Sequence, residues 1–117
     1  MQPNMQPNDS RTVDFILKRG GEIYAAQKRF GADPSALSSD SAYFNAIATG
    51  LLQISIAAKK LSKTFRDGRE KVAWKQIDDW SAAIIDRFDT LTALDLWTML
   101  EDLSELYGVC YVYEDSR

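Results

Sequence analysis

Residues 40–65 read DSAYFNAIATGLLQISIAAKKLSKTF, and this stretch decides the fold class. Tyr43, Phe44, Ile47, Leu51, Ile54, Ala58 and Leu61 recur at three- and four-residue spacings, while Leu52 and Ile56 widen the stripe. Apolar residues repeating near 3.6 positions over a broad face indicate a helix turned toward a core. The pattern predicts one long helix from roughly Asp40 to Phe65, the central and most buried of the chain. Arg66-Asp67-Gly68 then reads as a turn.

The same period extends outward on both sides. Toward the N-terminus, a helix starts after Asp9 or Ser10, both good N-cap types. Its stripe is Val13, Ile16, Leu17, Gly20, Tyr24 and Gln27, with Ile23 alongside. Gly20-Gly21 weakens that helix by ~1 kcal/mol per glycine, and close helix–helix approach is the usual reason for such a pair. Gly31, Asp33 and Pro34 end the element, and Ser35 to Ser41 reads as loop plus N-cap. Toward the C-terminus, Trp74, Ile77, Trp80, Ile84, Ile85 and Phe88 predict a third helix over about Val72 to Phe88. Thr92 with Asp95 three positions on is a capping-box pair opening a fourth, striped by Ala93, Leu96, Trp97, Leu100, Leu103 and Tyr107. Gly108 is its expected stop. The β-prone run Val109 to Tyr113 is left as a strand, an extended arm or a packed terminus. The expectation is an all-α chain: an up-and-down antiparallel four-helix bundle over residues 10–117 with a short extended C-terminal tail. Residues 1–9, with Met-Gln-Pro-Asn in tandem, read as a flexible leader.

Composition narrows the chemistry. The chain has 117 residues, 45% apolar and 26% charged, which suits one domain with one core. It has no histidine, which removes Ser–His and Cys–His nucleophile pairs and most zinc arrangements. Cys110 is the single cysteine, so no internal disulfide forms and a reducing, cytoplasmic setting is expected. Its apolar surroundings in sequence favour a buried, inert thiol. No apolar run is read as a membrane span and no cofactor or metal site is expected. Asp86 and Asp89, three apart, are too weak a pair to imply magnesium.

Charge is unevenly spread. Residues 59–75 hold Lys59, Lys60, Lys63, Arg66, Arg69, Lys71 and Lys75 against Asp67 and Glu70, a local net of +5. Residues 76–117 hold ten acidic groups against Arg87 and Arg117, a net of −8. Such asymmetry steers charged partners, although cations at a helix C-terminus also answer its dipole. Trp74, Trp80 and Trp97 read as core or interface anchors rather than base-stacking platforms, with Trp80 the least settled.

Three segments carry a family resemblance: Ile54-Ser55-Ile56-Ala57-Ala58-Lys59-Lys60-Leu61-Ser62, Trp74-Lys75-Gln76-Ile77, and Leu94-Asp95-Leu96-Trp97 with Asp102-Leu103. Over residues 43–107 the chain resembles the HepT-like branch of the HEPN domain family, which is nucleotidyltransferase-associated and of toxin–antitoxin type. The resemblance implies a helical bundle, a homodimer and, in active members, metal-independent RNA cleavage by an Arg/His pair. Its motif arginine falls on Ser81, the asparagine on Ala82, the histidine on Asp86 and the tyrosine on Phe88. The glutamate of the preceding helix falls on Ile56. Acid–base cleavage needs a proton carrier and phosphate needs a donor. Asp86 instead repels phosphate, Ser81 offers a hydroxyl without charge, and Phe88 lacks the hydroxyl that a partner nucleotidyltransferase would modify with AMP. Arg87, adjacent to Asp86, points elsewhere on a helix.

Three functions follow as expectations. In the first, the degenerate domain dimerises, through its third and fourth helices or the old motif cleft, and binds a minimal nucleotidyltransferase or other toxin–antitoxin component. In the second, the basic cluster, chiefly Lys59, Lys60, Lys63, Arg66, Arg69 and Lys75, binds RNA with Trp80 and Arg87; the sequence pI of about 4.9 opposes it. In the third, the chain is a structural homo-oligomer.

Overall fold

The computed structural model describes residues 8–116, and all regular structure among them is helical. Helix α1 spans Asp9–Phe30, α2 Pro34–Ser39, α3 Ser41–Ala58, α4 Lys63–Arg66, α5 Trp74–Asp86 and α6 Ala93–Asp115, with a 3-10 turn at Phe88–Thr90. Helix α1 packs on α3 and α6, and α3 packs on α5. Contacts fix two directions. Asp9 meets Ser62 while Tyr43 Oη reaches the Gly31 carbonyl, so α1 and α3 are antiparallel. Ser10 meets Tyr113 while Gly20 lies against Tyr107, so α1 and α6 are antiparallel as well.

Each start has a local cause. Asn8 caps α1 by accepting from Arg11 N, Asp33 caps α2 with Pro34 in its first turn, and Asp40 caps α3. Thr92 and Asp95 form the full reciprocal capping box that opens α6. The core comes from the predicted stripes: Val13, Ile16 and Ile23 of α1, Ile47, Leu51 and Ile54 of α3, Ile77 and Ile84 of α5, Leu96 and Leu103 of α6, joined by Leu106, which lies outside the predicted stripe. Gly20 is buried where an added Cβ would sit 2.7 Å from the Tyr107 ring, the close approach its sequence position suggested.

The structure corrects several boundaries. The C-terminal run is neither strand nor extended tail: α6 passes through Gly108 to Asp115. Cys110 is fully buried and Tyr113 packs on Phe65, so the stripe of Leu103, Leu106, Cys110 and Tyr113 continues at three- and four-residue spacing. Burying that stripe outweighs the β preference of Val109–Tyr113. The long central helix ends at Ala58, and α4 follows after a turn. The break lets Ser62 cap α4 while its own amide and hydroxyl donate to the Asp9 carboxylate at 2.9 and 2.6 Å. Part of the expected loop before it is α2, held by buried Leu37. The third helix is shorter than expected, Trp74–Asp86, because the chain leaves α geometry at Arg87. Asn8 and Asp9 belong to the fold rather than the leader, and residues 1–7 lie outside the described residues.

Helix α3 also revises the reading of apolar length. By length and composition Ser41–Ala58 is able to cross a membrane. Half of it is buried inside the fold, which is the role of a core helix.

Candidate functional site

Ser81, the position on which the resemblance places the motif arginine, lies where α5 packs on α3. Ser55 is completely buried, and its hydroxyl donates to the Ile77 carbonyl at 2.6 Å. The same oxygen accepts from the Ser81 amide at 3.1 Å. Ile77 and Ser81 are four apart, the spacing of successive partners in a helix's own hydrogen-bond ladder. A side chain of α3 therefore engages both ends of one turn of α5. Ser81 itself is 5% exposed, and its Oγ accepts a hydrogen bond from Lys59 Nζ. Burial of these hydroxyls is acceptable because each has partners.

This arrangement has no nucleophile poised beside a base. Ser81 is held by an ammonium group, which cannot take its proton. Asp86 lies at the exposed C-terminal end of α5 and Phe88 is 46% exposed on the 3-10 turn, so neither joins Ser55, Lys59 and Ser81. Arg87 lines a separate depression between α5 and α6, of about 270 Å³, together with Trp80, Asp79, Asp95 and Asp102. The acids there outnumber the arginine, which disfavours a phosphate ligand. Burial raises the pKa of Asp102, and the neighbouring charge of Glu101 adds to the shift. Trp80 is 3% exposed and belongs to the core, so its ring faces are not open to a stacked base.

The two arginines of the basic cluster are occupied internally. Arg66 makes a two-pronged ion pair with Asp78, both contacts at 2.8 Å, donates to the Ala58 carbonyl at 2.7 Å, and lies 4.6 Å from the Trp74 ring centre. It thus closes the C-terminus of α3 and ties it to α5. Arg69 donates to the Phe65 carbonyl and stacks over the Phe65 ring at 4.1 Å. Lys63 pairs with Asp67 and Lys75 with Asp79. Lys60 and Lys71 are exposed and make no ion pair among the described residues. The arginines of the charge run are therefore a helix-end and inter-helix brace, while Lys63 and Lys75 hold only solvent-exposed pairs within one turn. No group of three or more His, Cys, Asp or Glu side chains able to hold a metal occurs among the described residues. Cys110 is buried, and desolvation pushes its thiol up to about 12.

One surface was not anticipated from the sequence. A trough of about 550 Å³ runs between α1 and α3, lined by Arg11, Phe15 and Arg19 on one side and Gln53, Ile56 and Lys60 on the other. Phe15 is 37% exposed and Ile56 45%. The spacing i, i+4, i+8 on α1, and i, i+3 on α3 with Lys60 in the turn after it, places these residues on facing edges. Each helix shows this pattern alone, but the apolar stripe of each was read as core, and only their packing separates core from trough. Ser55 escaped notice for a related reason: within an apolar stripe a serine carries no local sign that it will be paired.

Comparison of the chain with protein-family models, with curated proteins and with solved structures gives no match.

Proposed function

We propose that this chain is a catalytically degenerate HepT/HEPN-like domain that dimerises and works by binding a protein partner, a minimal nucleotidyltransferase or another toxin–antitoxin component. In this reading α1, α3, α5 and α6 form an up-and-down antiparallel bundle, and the protein acts in the cytoplasm. The observation that carries it is the state of Ser81. Where the resemblance implies a phosphate-binding arginine, the chain has a buried serine whose amide is held by Ser55 and whose hydroxyl is held by Lys59. An interior brace stands in place of an open proton-transfer site, so the bundle persists without the chemistry.

The test is affinity capture from the native cell with mass spectrometry of what co-purifies. Stoichiometric recovery of a nucleotidyltransferase-like protein supports the reading. Recovery of RNA with no protein partner overturns it in favour of nucleic-acid binding. The second outcome is disfavoured by Arg66, whose charge is already held by Asp78 in a partly buried pair.

A further inference from the structure

The trough between α1 and α3 has a counterpart on the same chain. Its cations are Arg11, Arg19 and Lys60, and no acidic side chain lines it. Arg19 is engaged by Glu22 at 2.6 Å, whereas Arg11 and Lys60 make no ion pair among the described residues. The outer face of α6 has the opposite character. Glu101, Glu105, Gly108, Val112 and Asp115 are exposed and follow at three- and four-residue spacing, with exposed Tyr111 beside them, so they form one stripe. Tyr111 and Val112 are 62% and 66% exposed, large apolar side chains left in water beside carboxylates. One surface is a cationic trough with an apolar floor, and the other is an acidic ridge with an apolar crest.

We propose that the trough receives the outer face of α6 from a second copy of this chain. The inference rests on the self-association included in the function proposed above and names its surface. Phe15 and Ile56 meet Tyr111 and Val112, while Arg11 and Lys60 face Glu101 and Glu105 on the N-terminal side of that apolar pair. A helix laid into a groove between two helices is a recurrent mode of recognition, with apolar anchors giving affinity and flanking charges giving register. Both surfaces border α1 at the same end of the molecule: Arg11 follows Ser10, which meets Tyr113 in the last turns of α6. In the proposed dimer two copies related by a two-fold axis exchange equivalent contacts, each inserting its ridge into the other's trough.

A charge exchange tests this, read by sedimentation equilibrium of the full chain across the micromolar range. Wild type is expected to form a reversible dimer that weakens with added salt. The variant Arg11→Glu/Lys60→Glu and the variant Glu101→Lys/Glu105→Lys should each lose self-association by tenfold or more. All four positions are solvent-exposed or rim residues, and circular dichroism checks that each variant keeps its helices. Mixed together, the two variants should associate with each other, because an acidic trough then meets a basic ridge and a basic trough an acidic one. A mixture that stays monomeric overturns the proposal. So does a dimer whose dissociation constant is unmoved by either variant; that result rejects this surface and leaves dimeric partner binding intact. A wild type that is monomeric throughout removes self-association from both readings, while the capture experiment still judges partner binding separately.

Discussion

The amide of Ser81 donates to the buried hydroxyl of Ser55 at 3.1 Å, so α3 holds α5 by a hydrogen bond that belongs to neither helix alone. The same hydroxyl donates to the Ile77 carbonyl. Ser55→Ala removes both contacts inside the core and leaves polar groups to find new partners. A loss of about 1–3 kcal/mol in unfolding free energy is expected. Urea denaturation of the two proteins measures it, and an unchanged midpoint would show that α5 closes its own ladder without help.

Adjacent glycines should respond with opposite signs. A Cβ at Gly20 would stand 2.7 Å from the Tyr107 ring, which is itself packed edge-on against Tyr24 at 5.0 Å between centroids. At Gly21 the nearest atom is the Tyr107 hydroxyl at 3.7 Å, an ordinary contact. Gly20→Ala is expected to destabilise by about 1–3 kcal/mol through overpacking. Gly21→Ala should stabilise by up to about 1 kcal/mol through helix propensity. Thermal melts of both variants decide it, and a shared sign would contradict the packing described here.

Arg66 joins three elements through Asp78, the Ala58 carbonyl and the Trp74 ring. Its ion pair is less than a third exposed on either side. Arg66→Ala should cost about 2–4 kcal/mol, and Arg66→Lys should recover only part, since an ammonium cannot serve the carboxylate in two-pronged fashion and the carbonyl together. Denaturant titration of wild type and both variants gives the comparison. A lysine variant of full stability would reduce the role of Arg66 to simple charge.

Cys110 predicts the alkaline behaviour. Burial holds its thiol at about 12 against an ordinary 9.0. Between these values the unfolded chain has released a proton that the folded chain keeps. The contribution is therefore complete below about pH 9 and is lost as pH rises toward 12. Stability of wild type should fall through this window more steeply than that of Cys110→Ala. In the native state at pH 8 a disulfide reagent should modify Cys110 only after opening of α6, at a rate far below that of the urea-unfolded chain.

RNA should survive incubation with the purified protein. Placing at Ser81 and Asp86 the residues that the resemblance implies should not create cleavage, because Ser81 is buried under Lys59 and Asp86 stands apart from it. Ser81→Arg/Asp86→His is expected to lose stability and still leave a labelled single-stranded RNA intact on a denaturing gel. Cleavage by either protein would contradict a degenerate site.

The apolar spacing of Tyr43 to Ala58, the Thr92/Asp95 box and the absence of histidine were legible in the chain alone, and with them the all-helical class, four of the helices and the lack of imidazole chemistry. These features depend on neighbours within a few residues, where periodicity and capping act. Tertiary structure decided the rest. It carried α6 through Gly108, because Cys110 is buried and Tyr113 packs on Ser10 of α1 and Phe65 of α4, residues distant in sequence. It ended α3 at Ala58, where Asp9 captures Ser62 across 53 positions. It turned the basic run into braces by setting Asp78 beside Arg66, and it left Phe15 and Ile56 in a trough although each lies beside a core stripe. Local pattern states that a face is apolar or charged, while the energy of that face depends on what long-range packing brings against it.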